Sequence, residues 1–205
     1  MTTPEERRHR TILQRIARRA MIERGLLPDF SVQAIAELNE IQGAVTKVEE
    51  STRDFRNLAW CSIDNDDSRD LDQLTVAETM PEGTVKILVA IADVDALVKK
   101  RSALDDHAQH NTTSVYTAAQ IFPMLPEKLS TGLTSLNYQE DRQAMVGEMI
   151  INDAGEVTSP DIYPATVRNH AKLAYHAVAA WLEGKAQAPD ETTAVDSAVV
   201  DNLRL

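Results

Sequence analysis

Residues 58–73 read Leu-Ala-Trp-Cys-Ser-Ile-Asp-Asn-Asp-Asp-Ser-Arg-Asp-Leu-Asp-Gln. The apolar run 58–63 predicts a strand, and the strand feeds directly into an acidic loop. Five carboxylates follow, at Asp64, Asp66, Asp67, Asp70 and Asp72, with only Arg69 among them. A strand that ends in carboxylates puts them at a sheet rim, where α/β-type sheets gather their sites. Asp70 and Asp72 are two apart and share a face in extended backbone. Like charges so close repel unless they are solvated or share a cation. Hard oxygen donors at this density suit Mg²⁺ or Mn²⁺. A solvated acidic surface loop is the other reading of the same residues. A calcium loop of the EF-hand kind is excluded. Counted from Asp64, the glycine position holds Arg69 and the closing glutamate position holds Thr75.

Around this stretch the texture is that of a β-rich core. Residues 84–92 predict a buried strand ending at Asp93, and 149–151 with the stretch after Gly155 predict a hairpin turning through Asn152-Asp153-Ala154-Gly155. Residues 170–183 have helical spacing at Leu173, Ala177 and Trp181, with Gly184 as the stop. The segment 191–205 repeats that spacing at Val195, Ala198, Val199 and Leu203 without a C-cap, as in a chain cut in mid-architecture. His107 and His110 are expected on a solvated helix face, and Cys61 in the core.

The N-terminus is different. Thr3 with Glu6 forms a capping box and Pro4 takes the first helical position, so residues 3–24 predict a helix that Gly25 ends. Ile12 and Ile16 belong to its expected inward face. A second helix is expected over 31–41, with Ile35 and Leu38 inward. The pair suggests a helix-turn-helix-like module or a plain packing hairpin. The expected fold is therefore α+β: an N-terminal helical module over 1–44, then a mixed β-sheet core flanked by helices over 45–205.

Composition sets the outer limits. The chain has 205 residues, 43% hydrophobic and 26% charged, which excludes wholesale disorder and a fibrous chain. A single cysteine excludes an internal disulfide and fits a reducing, cytoplasmic location. No apolar run is long enough for a bilayer, and the basic N-terminus has no signal-peptide core behind it. Net charge is −11, but residues 1–24 carry +4 and the remainder −15. A body this acidic repels polyanions, so a nucleic-acid partner needs the N-terminal arginines, Arg15, Arg18 and Arg19 among them, or bound cations to offset it.

Several ordered stretches share one pattern. They are Ser62-Ile63-Asp64 with Ser68-Arg69-Asp70-Leu71-Asp72, then Ile91-Ala92-Asp93-Val94, Thr113-Ser114-Val115-Tyr116, Phe122-Pro123-Met124-Leu125-Pro126, Gly132-Leu133-Thr134-Ser135-Leu136-Asn137, and Asp141-Arg142-Gln143-Ala144-Met145. In this order and spacing, residues 53–157 resemble the first half of the catalytic domain of the ribonuclease II / ribonuclease R (RNB) exoribonucleases. The resemblance implies a processive, metal-dependent hydrolase that degrades single-stranded RNA from its 3′ end to 5′-mononucleotides. It implies that Asp64, Asp70 and Asp72 hold Mg²⁺ or Mn²⁺, with Asp72 closest to the reaction, and that Tyr116 stacks on the terminal base. The family's fourth aspartate position is Gln73 here, a neutral metal ligand at best. The family's second catalytic half, with an arginine near the scissile phosphate, is missing from the chain. The missing half or a second copy is expected to cover the exposed face, and little activity is expected from the chain alone. The three carboxylates are expected to converge on one point. Two other readings stand beside this one: a non-catalytic RNA-binding remnant, and a regulator that binds nucleic acid through the N-terminal helices.

Overall fold

The computed structural model describes residues 3–45, 50–189 and 197–205. The chain separates into two compact units, Met1–Gly43 with Leu97–Ser130, and Ala44–Ala96 with Thr131–Leu205. A cut at 44/45 therefore parts the N-terminal helices from a segment, 97–130, that packs with them.

In the first unit, α1 (Pro4–Glu23) starts at the expected capping box, with Thr3 accepting from the Glu6 N–H and Glu6 accepting from the Thr3 N–H. Helix α2 (Val32–Glu40) is capped by Ser31, and α3 (Ala103–Asn111) by Ser102. Helices α2 and α3 are tied by charge. Glu37 accepts the Ala103 and Leu104 N–H groups at 2.9 and 3.0 Å, placing a carboxylate at the positive end of α3. Lys128 satisfies the C-terminal end of α2, donating to the Leu38 and Ile41 carbonyls. A two-stranded hairpin, β5 (Val115–Tyr116) with β6 (Ile121–Phe122), completes the unit.

The apolar face expected on these helices is not covered. Ile12, Leu13, Ile16 and Ile35 are exposed, Ile16 by 58%, while Met21 and Ala34 are buried instead. Helical spacing gathers apolar residues into a stripe, but burial requires a neighbour, and of the residues of α1 it is Met21, near the C-terminal end, that is fully buried. His107 departs the other way. It is buried against Phe30 with ring centroids 4.2 Å apart, and its Nε2 meets the Asn111 amide at 3.1 Å.

In the second unit a seven-stranded mixed sheet has the order β1-β8-β7-β4-β3-β2-β9. Its strands are β1 (Arg53–Asp54), β2 (Cys61–Asp64), β3 (Gln73–Thr79), β4 (Val85–Ala92), β7 (Asp141–Ile151), β8 (Val157–Arg168) and β9 (Ala171–Ala174). The inner strands are antiparallel, and the two edge pairs, β1 with β8 and β2 with β9, are parallel. One face buries Trp60, Leu74, Leu88, Ala90, Val146 and Tyr163. The other carries Cys61, Ala171 and Leu173 against α4 (Tyr175–Leu182) and α5 (Ser197–Asn202), which contribute Val178 and Val199.

Strand β2 begins at Cys61, because 58–60 turn to bury Trp60, whose indole N–H donates to the Phe55 carbonyl at 2.8 Å. The hairpin turns through Asn152–Gly155 as expected, with Gly155 at φ +78°. The helix expected over 170–183 starts only at Tyr175. Residues 171–174 instead extend the sheet, since pairing with β2 satisfies their backbone and puts Ala171 and Leu173 on one buried face. Val195 lies outside the described residues. No helix among the described residues is long and apolar enough to cross a membrane.

Candidate active site

The acidic stretch leaves the sheet at the end of β2 and returns to it at the start of β3. Antiparallel register sets Cys61 opposite Thr75. Strand β2 is paired along its length with β9, Asp64 opposite Ala174. On the far side of β3, Gln73 pairs with Ile91 and Leu74 with Ala90; the first pair is exposed and the second buried. Alternation with a period of two puts Gln73 on the face of β3 opposite Leu74.

The loop backbone is held from three other segments. Lys172 on β9 donates to the Ser68 carbonyl at 2.6 Å. The Leu71 N–H donates to Ser135 Oγ at 3.0 Å, and the Leu136 N–H to the Leu71 carbonyl at 2.7 Å. The Ala92 N–H donates to the Asp72 carbonyl at 2.9 Å. Leu71 is buried between the exposed Asp70 and Asp72.

Asp64 carries the electrostatic record of this crowding. Burial, above all, raises its pKa; Asp72 and Asp70 raise it further by repulsion, while a Ser62 hydrogen bond and the Lys172 ammonium oppose them. Its Oδ2 is buried and has no hydrogen-bond partner. A buried carboxylate oxygen without a hydrogen-bond partner, with two further carboxylates near enough to repel it, is the donor chemistry of a hard divalent cation. The expected convergence is nevertheless not complete: among the described residues no three His, Cys, Asp or Glu side chains form a group that could hold a metal ion. Like charges repel, and with no cation between them carboxylates do not gather. Beside the loop, Asn65, Asp66, Lys172 and His176 line a cleft of about 270 Å³, with His176 Nε2 3.5 Å from Asp66 Oδ2.

Tyr116 lies in β5 of the first unit and is 63% exposed, an available stacking surface. Arg15, Arg18 and Arg19 are exposed on α1. Arg18 pairs with Asp29 and Arg19 with Glu23, so two of the three charges already have acidic neighbours. Cys61 is buried as expected, its thiol pushed up to about 11 by burial. Ser135 and Lys172 were not singled out from sequence. They lie far along the chain from the acids, and nothing local marks them.

A sheet of this order, with a tethered acidic crossover from β2 to β3, is the framework of an RNB-type nuclease domain. The RNB domain matches residues 52–205. Ribonuclease R of Vibrio parahaemolyticus serotype O3:K6 is 46% identical over 131 residues, covering 64% of this chain and 16% of that protein. Ribonuclease R of Escherichia coli strain K12 is 38% identical over 162 residues, covering 77% and 20%. The structure of Mycoplasma genitalium RNase R in complex with double-stranded RNA matches with a TM-score of 0.80 at 28% identity, covering 90% of this chain and 32% of that one. The chain belongs to the RNB family. It spans about a fifth or less of the length of the two ribonuclease R relatives.

Proposed function

We propose that this chain forms part of a metal-dependent exoribonuclease that hydrolyses single-stranded RNA from its 3′ end to 5′-mononucleotides. The observation that carries the reading is Asp64: a buried carboxylate oxygen without a partner, at a sheet rim, with Asp70 and Asp72 close enough to raise its pKa. In this reading Asp64, Asp70 and Asp72 hold Mg²⁺ or Mn²⁺, and Gln73 is left out of the ligand set. A divalent cation bound there supplies an activated water and neutralises phosphate charge. Asp72 stands nearest the reacting phosphate, Lys172 tethers the loop that carries Asp70, and Tyr116 stacks on the terminal base. Arg15, Arg18 and Arg19 attract the RNA backbone, with residues 1–44 acting as a nucleic-acid-facing module and 45–205 as the catalytic part.

Three carboxylates put negative charge where a phosphate must bind, so a bound cation has to offset it in this reading. A non-catalytic RNA-binding role is the second reading, favoured by the incomplete convergence of the acids. The test is release of 5′-mononucleotides from single-stranded RNA with Mg²⁺, comparing the chain with its Asp72→Asn variant. Release that Asp72→Asn abolishes supports the nuclease reading. Equal background from both chains, with RNA still bound, favours the binding role.

A further inference from the structure

We infer that His107 and Asn111 form a pH-sensitive latch that holds the turn between α1 and α2 against α3, and that a second proton on the His107 ring opens it. The inference concerns the first unit alone and is independent of the metal-site reading above.

Asn111 closes α3 and is 2% exposed. Its side chain binds both backbone groups of one residue of the turn. Oδ1 accepts the Leu27 N–H at 2.9 Å, and Nδ2 donates to the Leu27 carbonyl at 2.9 Å. The other Nδ2 hydrogen is directed at His107 Nε2, 3.1 Å away and one helical turn back. A peptide N–H only donates and a carbonyl only accepts. The amide therefore cannot be turned over without setting donor on donor and acceptor on acceptor at Leu27. His107 Nε2 is then the acceptor, and the proton of the neutral ring sits on Nδ1.

Both nitrogens of an imidazolium are donors, so a charged His107 sets Nε2–H against the Asn111 NH₂. Either the amide withdraws from Leu27 or the ring withdraws from the amide. The ring is 5% exposed and stacked on Phe30 with centroids 4.2 Å apart, so it does not move without Phe30, which belongs to the same turn. The turn loosens either way. His110 responds differently. Its Nε2 is 2.7 Å from the Gly25 carbonyl, to which it donates whether neutral or charged. Acidification thus leaves Gly25 attached and frees Leu27. Gly25, at φ +76°, is where the chain bends between the two holds.

The elements packed about His107 carry other charges. On α3 they are Asp105, Asp106 and His110, and in the turn Arg24 and Asp29, the latter paired with Arg18. On α2, Glu37 is bound to the Ala103 and Leu104 N–H groups, and Glu40 ends the helix. Of these, His110 is the one that shifts His107. Burial first, and the like charge of His110 second, hold its pKa below the ordinary 6.5. The latch is therefore complete above 6.5 and is lost as pH falls through the lowered value.

The test is NMR of the whole chain between about pH 8 and about pH 5, the range in which histidines titrate. The His107 ring resonances report the proton. Protection of the Leu27 N–H from exchange, referred to the unstructured rate at each pH, reports the latch. Ala34, whose N–H is bound to Ser31 at the start of α2, is the control. Leu27 protection should fall about tenfold or more, the scale of one pKa unit, with the midpoint of the His107 ring and with Ala34 unchanged. His107→Gln keeps an acceptor without a titrating ring, so Leu27 protection should become independent of pH. His110→Gln keeps the donor to Gly25 and removes the like charge, so release should move to higher pH; it decides the matter if His107→Gln does not fold. Parent protection that stays constant over this range, whether or not the ring titrates, would overturn the inference. A loss that persists in His107→Gln, or a release that His110→Gln leaves at the same pH, would do so too. Equal loss at Ala34 would also overturn it, as unfolding of the unit rather than opening of a latch.

Discussion

Two stretches of this chain are dense in charge of one sign, and they handle it in opposite ways. Helix α1 carries its arginines on an exposed surface, where Arg18 and Arg19 pair with Asp29 and Glu23. Such exposed pairs contribute little to stability, and either opens at small cost. The acidic stretch 62–73 has its backbone tied down from Ser135, Lys172 and Ala92, and Asp64 is partly withdrawn from water with one oxygen unpaired. Charge on the helix is solvated. At the sheet rim the backbone that carries the charge is held, and one oxygen of Asp64 is withdrawn from water.

The same contrast extends to packing, and the largest expected effect tests it there. Trp60→Ala, at a fully buried side chain of the sheet core, should destabilise the chain by about 3–5 kcal/mol. Ile16→Ala, on the exposed stripe of α1, should stay within about 0.5 kcal/mol. Urea unfolding of the two variants checks both values. A large loss at Ile16 would mean that the helix face is covered in solution and would erase the distinction.

Next in size is a pair of pH effects of opposite sign within the sheet unit. Asp54 is held down to about 2, first by its hydrogen bond with the Arg56 side chain. A depressed pKa gives stability that is present above the ordinary aspartate value of 3.8 and is lost as pH falls towards 2. Asp54→Asn should therefore destabilise the chain at neutral pH, with the difference closing in acid. The Asp64 pKa is raised, first by burial. Its favourable contribution is complete below 3.8 and disappears as pH rises through the raised value. Asp64→Asn should be more stable than the parent at neutral pH, with that advantage fading as pH falls through the raised value and gone below 3.8. Denaturation midpoints measured from pH 2 to pH 8 decide the signs. Destabilisation by Asp64→Asn at neutral pH would show that its charge is already compensated, and would weaken the case for a cation.

A smaller effect is expected from the basic helix. Its phosphate contacts should appear as a salt slope, falling by about one for each contact removed. Arg15→Ala should remove close to one unit of slope in single-stranded RNA binding. Arg18→Ala and Arg19→Ala should remove less, because each arginine must first leave an acidic neighbour. Fluorescence titrations over a range of KCl concentrations separate the three. Equal slopes in all variants would make α1 a packing helix.

The smallest effect is an expected silence. Gln73→Asp adds a carboxylate next to Asp72 in sequence but on the face of β3 opposite Leu74. Mn²⁺ affinity should therefore barely change, since charge acts strongly on an ion only from close range. A marked tightening would mean that the loop twists enough on metal binding to bring residue 73 across.

Much of this was legible in the sequence, because much of it is local. The capping box at Thr3, the turn at 152–155 and the strand through 85–92 depend on residues a few positions apart. The five acids are a matter of composition, and the ordered stretches around them were enough to mark the family. What was not legible depended on a partner distant in the chain. Leu173 has the spacing of a helix but lies in a strand, because β2 was there to pair with it. Ile12 and Ile16 have the spacing of a core face, but both remain exposed, Ile16 the more so. His107 looked like a surface residue until Phe30 closed over it.

The acidic site divides along the same line. Sequence by itself determined which carboxylates are available, that they follow a strand, and that Asp70 and Asp72 flank a leucine. Only the tertiary structure decided that Asp64 is partly buried with the charges of Asp70 and Asp72 near it, that Gln73 lies on the face of β3 opposite Leu74, and that Ser135 and Lys172 hold the loop. Alternation and capping are properties of a short stretch of backbone. Register and tethering are bonds between segments tens of residues apart, which exist only once the sheet has closed.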